Sequence, residues 1–291
     1  MRLVSYWHAG GLLPGFESGG VVVPARAVHD FGDRPVSVKG LLEAGSGALA
    51  EAVGRARRAV ESREPLLEPD GELLLGPPVP DPDKIICLGQ NYPQHIAEMQ
   101  RPRPVVPNLF PKFRNSLVGP TGAIRLPRNS QQVDYEGELA VVIGRRCSKA
   151  SEADALSYVA GYCVFNDVSA RDLHNRTQQN TAGKALDTFA PMGPGITLAE
   201  EVGDPQTLRI STFVNGERVQ DGDTDQMIFS VAATISFISE NITLEPGDVI
   251  ATGTPAGVGY KRNPPSFLRA GDMVEVEISR VGRIANPVIA G

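Results

Sequence analysis

Four prolines fall between Pro77 and Pro82, within the run GPPVPDPDK at Gly76–Lys84. Proline has no N–H to donate and clashes with the preceding turn, so such a run bars both a helix and a central strand. The chain is therefore read as a small N-terminal domain over 1–76, a linker over 77–83 and a larger domain over 84–291. Glycine and proline are frequent throughout, at 31 and 24 of 291 residues. That frequency favours many turns and short strands over long helices, and the expected class is α+β, rich in β.

Periodicity places the elements. Leu42, Leu49, Val53 and Val60 fall near one face of a helix over Leu41–Glu64. Short apolar or β-branched runs predict buried strands at Lys84–Leu88, Leu139–Ile143 and Gly161–Phe165. Leu208–Val214 and Glu217–Gln220 flank Asn215 and Gly216, a pair that tolerates positive φ at both turn positions, so they form a hairpin. Met273–Ile278 alternates apolar and acidic residues and should be half exposed. Helices are expected over Ser151–Tyr158, where Ser151 and Asp154 occupy capping-box-like positions, and over Gln226–Glu240. Met227, Val231, Ile235 and Ile238 share one face of the second.

Composition then excludes whole classes of function. The chain carries 28 Lys and Arg against 34 Asp and Glu, a formal charge of −6, with no basic tract for a phosphate backbone. No run approaches the ~20 apolar residues that span a bilayer. The start, MRLVSYWHAGG, breaks into His and Gly too soon for a signal-peptide core. Cys87, Cys147 and Cys163 form no C-x-x-C and read as reduced thiols of a cytoplasmic protein. What remains is a protein that handles something small, or another protein.

The stretch DYEGELAVVIG at Asp134–Gly144 is the most informative. On a strand, Glu136 and Glu138 point to the same side. Two adjacent carboxylates repel, and burying both is costly unless a cation lies between them. The alternative is a solvated pair on an exposed face. Asp134 shares their parity and either extends the set or caps the strand. Asp167 follows the apolar run Gly161–Phe165, at the end of a strand, unless it caps a helix over Val168–His174. Glu136, Glu138 and Asp167 make an all-oxygen set suited to Mg²⁺, Mn²⁺ or Ca²⁺ rather than zinc. Such a set would leave roughly three positions on an octahedral ion for water or substrate.

His95 and Glu98, in GQNYPQHIAEM, are three apart, so one helical turn brings carboxylate and imidazole together. That pairing orients a histidine base, though a surface ion pair has the same spacing. Pro102, Pro104 and Pro107 follow and bar regular structure, so a short helix held by this loop is a candidate lid. Lys184 and Arg171 are cations for an anionic substrate or for neutralising the acidic cluster. Gly247–Gly259 is a strand feeding a Gly-rich loop without the Lys-Ser/Thr ending of a P-loop. Backbone N–H groups at Gly253 and Thr254 are instead placed to receive a substrate carboxylate. Cys87 lies inside an apolar strand, where a thiol is inert.

Together these segments resemble the fumarylacetoacetate hydrolase family from about Lys84 to Val288. The resemblance rests on ordered motifs: GQNYPQH, SLVGPTGAI, VDYEGELAVVIG, NDVSARDL, GKALDTFAPMGP, VNGERVQ, GDVIATGTPAGVG and FLRAGDMVEVEI. It implies a rolled mixed β-sheet catalytic domain, a homodimer, and Mg²⁺ or Mn²⁺ on Glu136, Glu138 and Asp167, with Ca²⁺ able to substitute. It implies a general-base dyad of His95 and Glu98 on a closing lid, with Lys184, Arg171 and Tyr92 near the substrate. His174, Asn180 and Leu186 stand where the family usually has Gln, Trp and Phe. They make the pocket less aromatic and more polar, and add His174 to the substrate-binding set.

The activity implied is metal-dependent hydrolysis of a C–C bond in an acylpyruvate or β-diketo acid. On the same site, the alternatives are an oxaloacetate-type decarboxylase and an isomerase of the 2-hydroxyhepta-2,4-diene-1,7-dioate type. Tautomerisation would use only the base and the metal. A non-catalytic relative that keeps the metal is a further alternative, against which the intact His95 and Glu98 pair argues.

Overall fold

The structure is a computed structural model that describes residues 1–62, 73–177 and 179–291. Its centre is a ten-stranded mixed sheet. From one edge, the order is Val21–Pro24, Gly11–Ser18, Arg2–His8, Ala190–Leu198, Val159–Asn166, Gly137–Ile143, Val249–Ala251, Ile85–Gly89 and Asn108–Lys112. Leu117–Val118 adds to Ala190–Leu198 off this path. A five-stranded sheet runs Glu217–Asp223, Arg209–Val214, Met273–Ile278, Gly282–Ala290 and Ile124–Leu126. A two-stranded pair, Val133–Asp134 with Ser169–Ala170, lies beside the site.

Gly137–Ile143 is buried at every position, and the two cores explain its unbroken apolar sequence. Leu139, Val141 and Ile143 pack with Tyr162, Val164, Ile235 and Ile238 on one face. Ala140 and Val142 pack on the other with Phe165, Met192 and Cys163. That second core also takes Ala52, Val53, Ala56 and Ala59 from the helix Ser46–Ser62.

The N-terminal segment is not a layer of its own. Leu3 pairs with Ile196 and Arg2 with Thr197, so Arg2–His8 continues the central sheet. The division at residue 76 divides the chain, not the sheet. The run from Pro77 to Lys84 has no helix or strand, as its prolines require.

Other expectations change at their ends. The helix expected over Leu41–Glu64 splits into Val38–Glu43 and Ser46–Ser62 around Gly45, whose φ is +96°. Positions 63 and 64 lie outside the described residues. Ser151–Tyr158 is reduced to a 3-10 turn at Ala155–Tyr158. Ser151 Oγ donates to Asp154 Oδ2 at 2.7 Å and accepts from the Asp154 N–H at 3.2 Å, closing a local turn in place of a helix. The later helix starts at Val231, not Gln226, with Ser230 Oγ accepting from the Ala233 N–H. Asn91 captures the N–H groups of Ile228 and Phe229, which removes them from the helix. The hairpin matches its turn, with Asn215 and Gly216 at φ +52° and +81°.

Candidate active site

Strand register builds the acidic cluster. Phe165 pairs with Glu138 and Asn166 with Gly137, and the next residue, Asp167, donates its N–H to the Glu136 carbonyl at 2.8 Å. Asp167, about thirty residues on in sequence, thus joins Glu136 and Glu138 at one end of two adjacent strands. One oxygen each from Glu136, Glu138 and Asp167 lies within 4.8 Å of the others, and all three residues are buried.

Cations crowd this cluster. Lys184 Nζ lies 2.7 Å from Glu136 Oε2 and 2.6 Å from Asp167 Oδ2. Arg171 holds Glu136 Oε1 at 2.6 Å and Asp134 Oδ2 at 2.8 Å. Burial opposes charge on both partners, but Lys184 and Arg171 outweigh it and hold the Glu136 carboxyl below its ordinary range. Lys184, likewise opposed by burial, is held above its ordinary value by Asp167 and Glu136.

Glu138 is left with the opposite balance. Burial first, then the charges of Asp167 and Glu136, push its carboxyl well above the usual range. Its Oε2 accepts one N–H, from Gly253 at 2.8 Å. A buried carboxyl beside two carboxylates and short of positive charge is what a hard dication relieves. Three carboxylate oxygens are also the donor type that Mg²⁺, Mn²⁺ and Ca²⁺ prefer. The residues therefore fit a divalent ion.

Across the same cavity stands His95, buried on the short helix Pro93–Met99. Its Nδ1 lies 2.7 Å from Glu98 Oε1, and Glu98 Oε2 accepts from the Gly257 N–H at 3.0 Å. The dyad is fixed at both ends, which leaves His95 Nε2 for the cavity. Asn91 anchors the base of this helix by donating to the Phe229 and Thr252 carbonyls at 3.0 and 2.8 Å. The cavity measures about 420 Å³ and its wall includes His95, Glu136, Glu138, Arg171, His174 and Lys184. Asp167 lies behind that wall, wholly buried.

Several expected contacts are reassigned. The Gly253 N–H serves Glu138, the Gly257 N–H serves Glu98, and the Gly259 and Tyr260 N–H groups serve Asp134. The Gly-rich loop thus solvates the protein's own carboxylates, of which Glu138 and Asp134 are buried and would otherwise be costly to bury. Thr254 lines the cavity, yet its hydroxyl donates to the Gly137 carbonyl and accepts from Gln220 Nε2. Tyr92 is buried in the core with Ile86 and Leu88, away from the cavity wall, as the residue that precedes the helix Pro93–Met99. Asp134 joins Arg171 and the loop instead of the metal set. Asp167 caps no helix; the helix that follows is only Arg171–His174 and its cap is Ala170.

His174 Nε2 lies 2.7 Å from Asn180 Oδ1, so the two departures from the family pattern pair with each other. Burial and the nearby Lys184 push the His174 imidazole below its ordinary value. Sequence reasoning missed Lys112, which is fully buried and donates to Asp167 and to the Val168 carbonyl. Its signal was parity, because Lys112 shares the buried face of its strand with Phe110.

Known proteins resemble this chain in sequence and in fold. A family model described as fumarylacetoacetate (FAA) hydrolase C-terminal matches residues 84–289. The oxaloacetate tautomerase fahd2, mitochondrial, of Xenopus laevis is 42% identical over 295 residues, covering 99% of this chain and 90% of the relative. The fumarylacetoacetate hydrolase from psychrophilic Exiguobacterium antarcticum superimposes with a TM-score of 0.85 at 34% identity, covering both chains fully. A 2-hydroxyhepta-2,4-diene-1,7-dioate isomerase from Mycobacterium marinum does so at 0.76 and 32%, covering 100% of this chain and 98% of that one. The family model over residues 84–289 and a relative 42% identical over nearly the whole length place it: the chain belongs to the fumarylacetoacetate hydrolase family.

Proposed function

We propose that this protein is a divalent-metal-dependent isomerase of a small 2-oxo acid, interconverting keto and enol forms in the manner of an oxaloacetate tautomerase. The observation that carries the reading is the placement of the Glu98-oriented His95 on the wall of the same cavity as Glu136 and Glu138. A relative with that activity in its name aligns with nearly the whole chain. Family membership alone is what supports C–C hydrolysis, the main expectation from sequence, so the isomerase alternative is preferred.

Glu136, Glu138 and Asp167 would hold Mg²⁺ or Mn²⁺, with Ca²⁺ able to substitute. When bound, such an ion supplies Lewis acidity worth several kcal/mol to negative charge developing on oxygen. The protein's own part is proton transfer. In the tautomer that places Nδ1–H against Glu98, 2.7 Å away, Nε2 carries the lone pair that takes the proton from C3 of the 2-oxo acid. The imidazolium, stabilised by Glu98, then delivers that proton to the enolate oxygen, which completes the enol. Lys184 and Arg171 hold the carboxylates in place around the reacting end.

Among the described residues, no helix is long and apolar enough to cross a membrane. The fahd2 relative is named as mitochondrial. The three buried free thiols suit a reducing compartment, and the cytoplasm is the one proposed.

Product analysis tests the reading. Isomerisation of oxaloacetate conserves mass, decarboxylation releases CO₂, and hydrolysis of an acylpyruvate yields two acids. The Mn²⁺-loaded protein should equilibrate keto and enol oxaloacetate, and His95→Ala should slow this by about 10²–10⁴-fold. An unchanged rate in His95→Ala, or turnover confined to acylpyruvate hydrolysis, refutes it.

A further inference from the structure

Lys184 and Arg171 are the cations that the sequence offers to an anionic substrate, and the fold commits both elsewhere. Lys184 bridges Glu136 and Asp167, while Arg171 is shared by Asp134 and Glu136. A 2-oxo acid with a single carboxylate needs little more, since its carboxylate and oxo oxygens suit a hard dication. A 2-oxo dicarboxylate brings a second negative charge into the cavity, where an unmatched charge is costly.

One basic side chain on the cavity wall remains uncommitted. Arg101 lines the cavity with His95 and, among the described residues, has no ion pair or side-chain hydrogen bond. Its position follows from how the helix Pro93–Met99 ends. Gln100 takes a left-handed φ of +53°, its N–H bonds the Ala97 carbonyl, and the Arg101 N–H bonds the Ile96 carbonyl at 3.2 Å. This is the closing turn that ends helices by satisfying their last carbonyls. Arg101 is therefore carried by the helix that carries His95, not by the proline segment beyond it. Asn108 and Asn180 stand on the same wall, so the surroundings are polar. A guanidinium fork matches a carboxylate through two parallel hydrogen bonds, which a lysine cannot reproduce.

We infer that Arg101 is a specificity-determining residue that receives the second carboxylate of a 2-oxo dicarboxylate, whose reacting end lies toward Glu136 and Glu138. The inference rests on the proposed 2-oxo-acid isomerase reading and names its substrate class. Arg101 touches the part of the substrate that does not react, so its effect falls on binding.

Calorimetric titration of the Mn²⁺-loaded protein separates the two ideas. The probes are oxamate, a monocarboxylate, and N-oxalylglycine, a longer dicarboxylate with the same head. Arg101→Gln should weaken N-oxalylglycine about tenfold and leave oxamate nearly unchanged, as for an exposed charge contact. Arg101→Lys should recover part of the loss, and KM for oxaloacetate should rise more than kcat falls. Equal weakening of both probes, or of neither, overturns the inference. If the unaltered protein favours N-oxalylglycine through Arg101 yet fails to isomerise oxaloacetate, the inference stands and the isomerase reading falls.

Discussion

Lys112 and Asp167 form an ion pair with no solvent access on either side chain. Burial pulls the Lys112 ammonium below its ordinary pKa, while Asp167 works in the opposite direction. Asp167 is thus held by two lysines at once, Lys112 on Oδ1 and Lys184 on Oδ2. Removing one partner of a buried pair costs about 3–5 kcal/mol, because the other charge stays behind. Lys112→Met should therefore destabilise the ion-free protein, but by less than that, because Lys184 still pairs with Asp167. A divalent ion at the cluster offers replacement charge, so saturating Mn²⁺ should recover part of the loss. Denaturation midpoints with chelator and with Mn²⁺ check this, and an equal loss in both conditions contradicts it.

Glu136 and Glu138 supply two of the three oxygens that lie within 4.8 Å of one another. The double variant Glu136→Ala, Glu138→Ala should lose divalent-ion binding and turnover together. Titration with Mn²⁺ followed by calorimetry reads the first, and the oxaloacetate assay reads the second. Retained metal-stimulated activity removes the cluster from the mechanism.

Gly183 leaves no room for a side chain. A Cβ there would lie 2.6 Å from the His174 backbone nitrogen and 2.5 Å from His174 Cβ. The contact joins Arg171–His174 to Thr181–Lys184, the segment that delivers Lys184 to the carboxylates. Gly183→Ala should cost about 1–3 kcal/mol through overpacking. Misplacing Lys184 should lower kcat/KM by up to about 10²-fold. A variant with unchanged melting and unchanged rate shows that the two segments can separate freely.

Asp172 gives a pH-dependent test outside the cluster. Burial raises its pKa, but hydrogen bonds from Ser130 Oγ at 2.6 Å and the Gln131 N–H at 2.9 Å prevail and lower it from 3.8. A depressed folded pKa means the stabilisation is complete above the unfolded value and fades as pH falls through the folded one. Asp172→Ala should cost about 1.5 kcal/mol at pH 7, the low end for hydrogen bonds to a charged group. The gap between variant and parent should shrink below pH 3.8, the ordinary value from which the folded one is lowered. Chemical denaturation at pH 7 and at pH 3 measures it; a gap independent of pH goes against it.

Local pattern was enough for the strands around the cluster and for the dyad. Glu136 and Glu138 stand two apart before an apolar run, and that alone places them together at the start of a buried strand, which opens at Gly137. His95 and Glu98 stand three apart on one helical turn, and they meet at 2.7 Å. The start of the helix at Val231 was less legible, because Asn91, 137 residues upstream of Ile228, captures the N–H groups that would have begun it.

The sequence by itself determined which residue types could meet a hard dication, where the proline run interrupts regular structure, and which strands would be buried. These follow from side-chain chemistry and from periods of two and 3.6 residues, which are properties of neighbours along the chain. Only the tertiary structure decided that Lys112 stands behind Asp167 and that the Gly-rich loop turns its N–H groups to Glu138, Glu98 and Asp134. Among the described residues, it also left Arg101 as the cavity's uncommitted cation. Partner choice of this kind is settled by which buried charges lack a counterpart after distant strands have paired, and chain position carries no record of that balance.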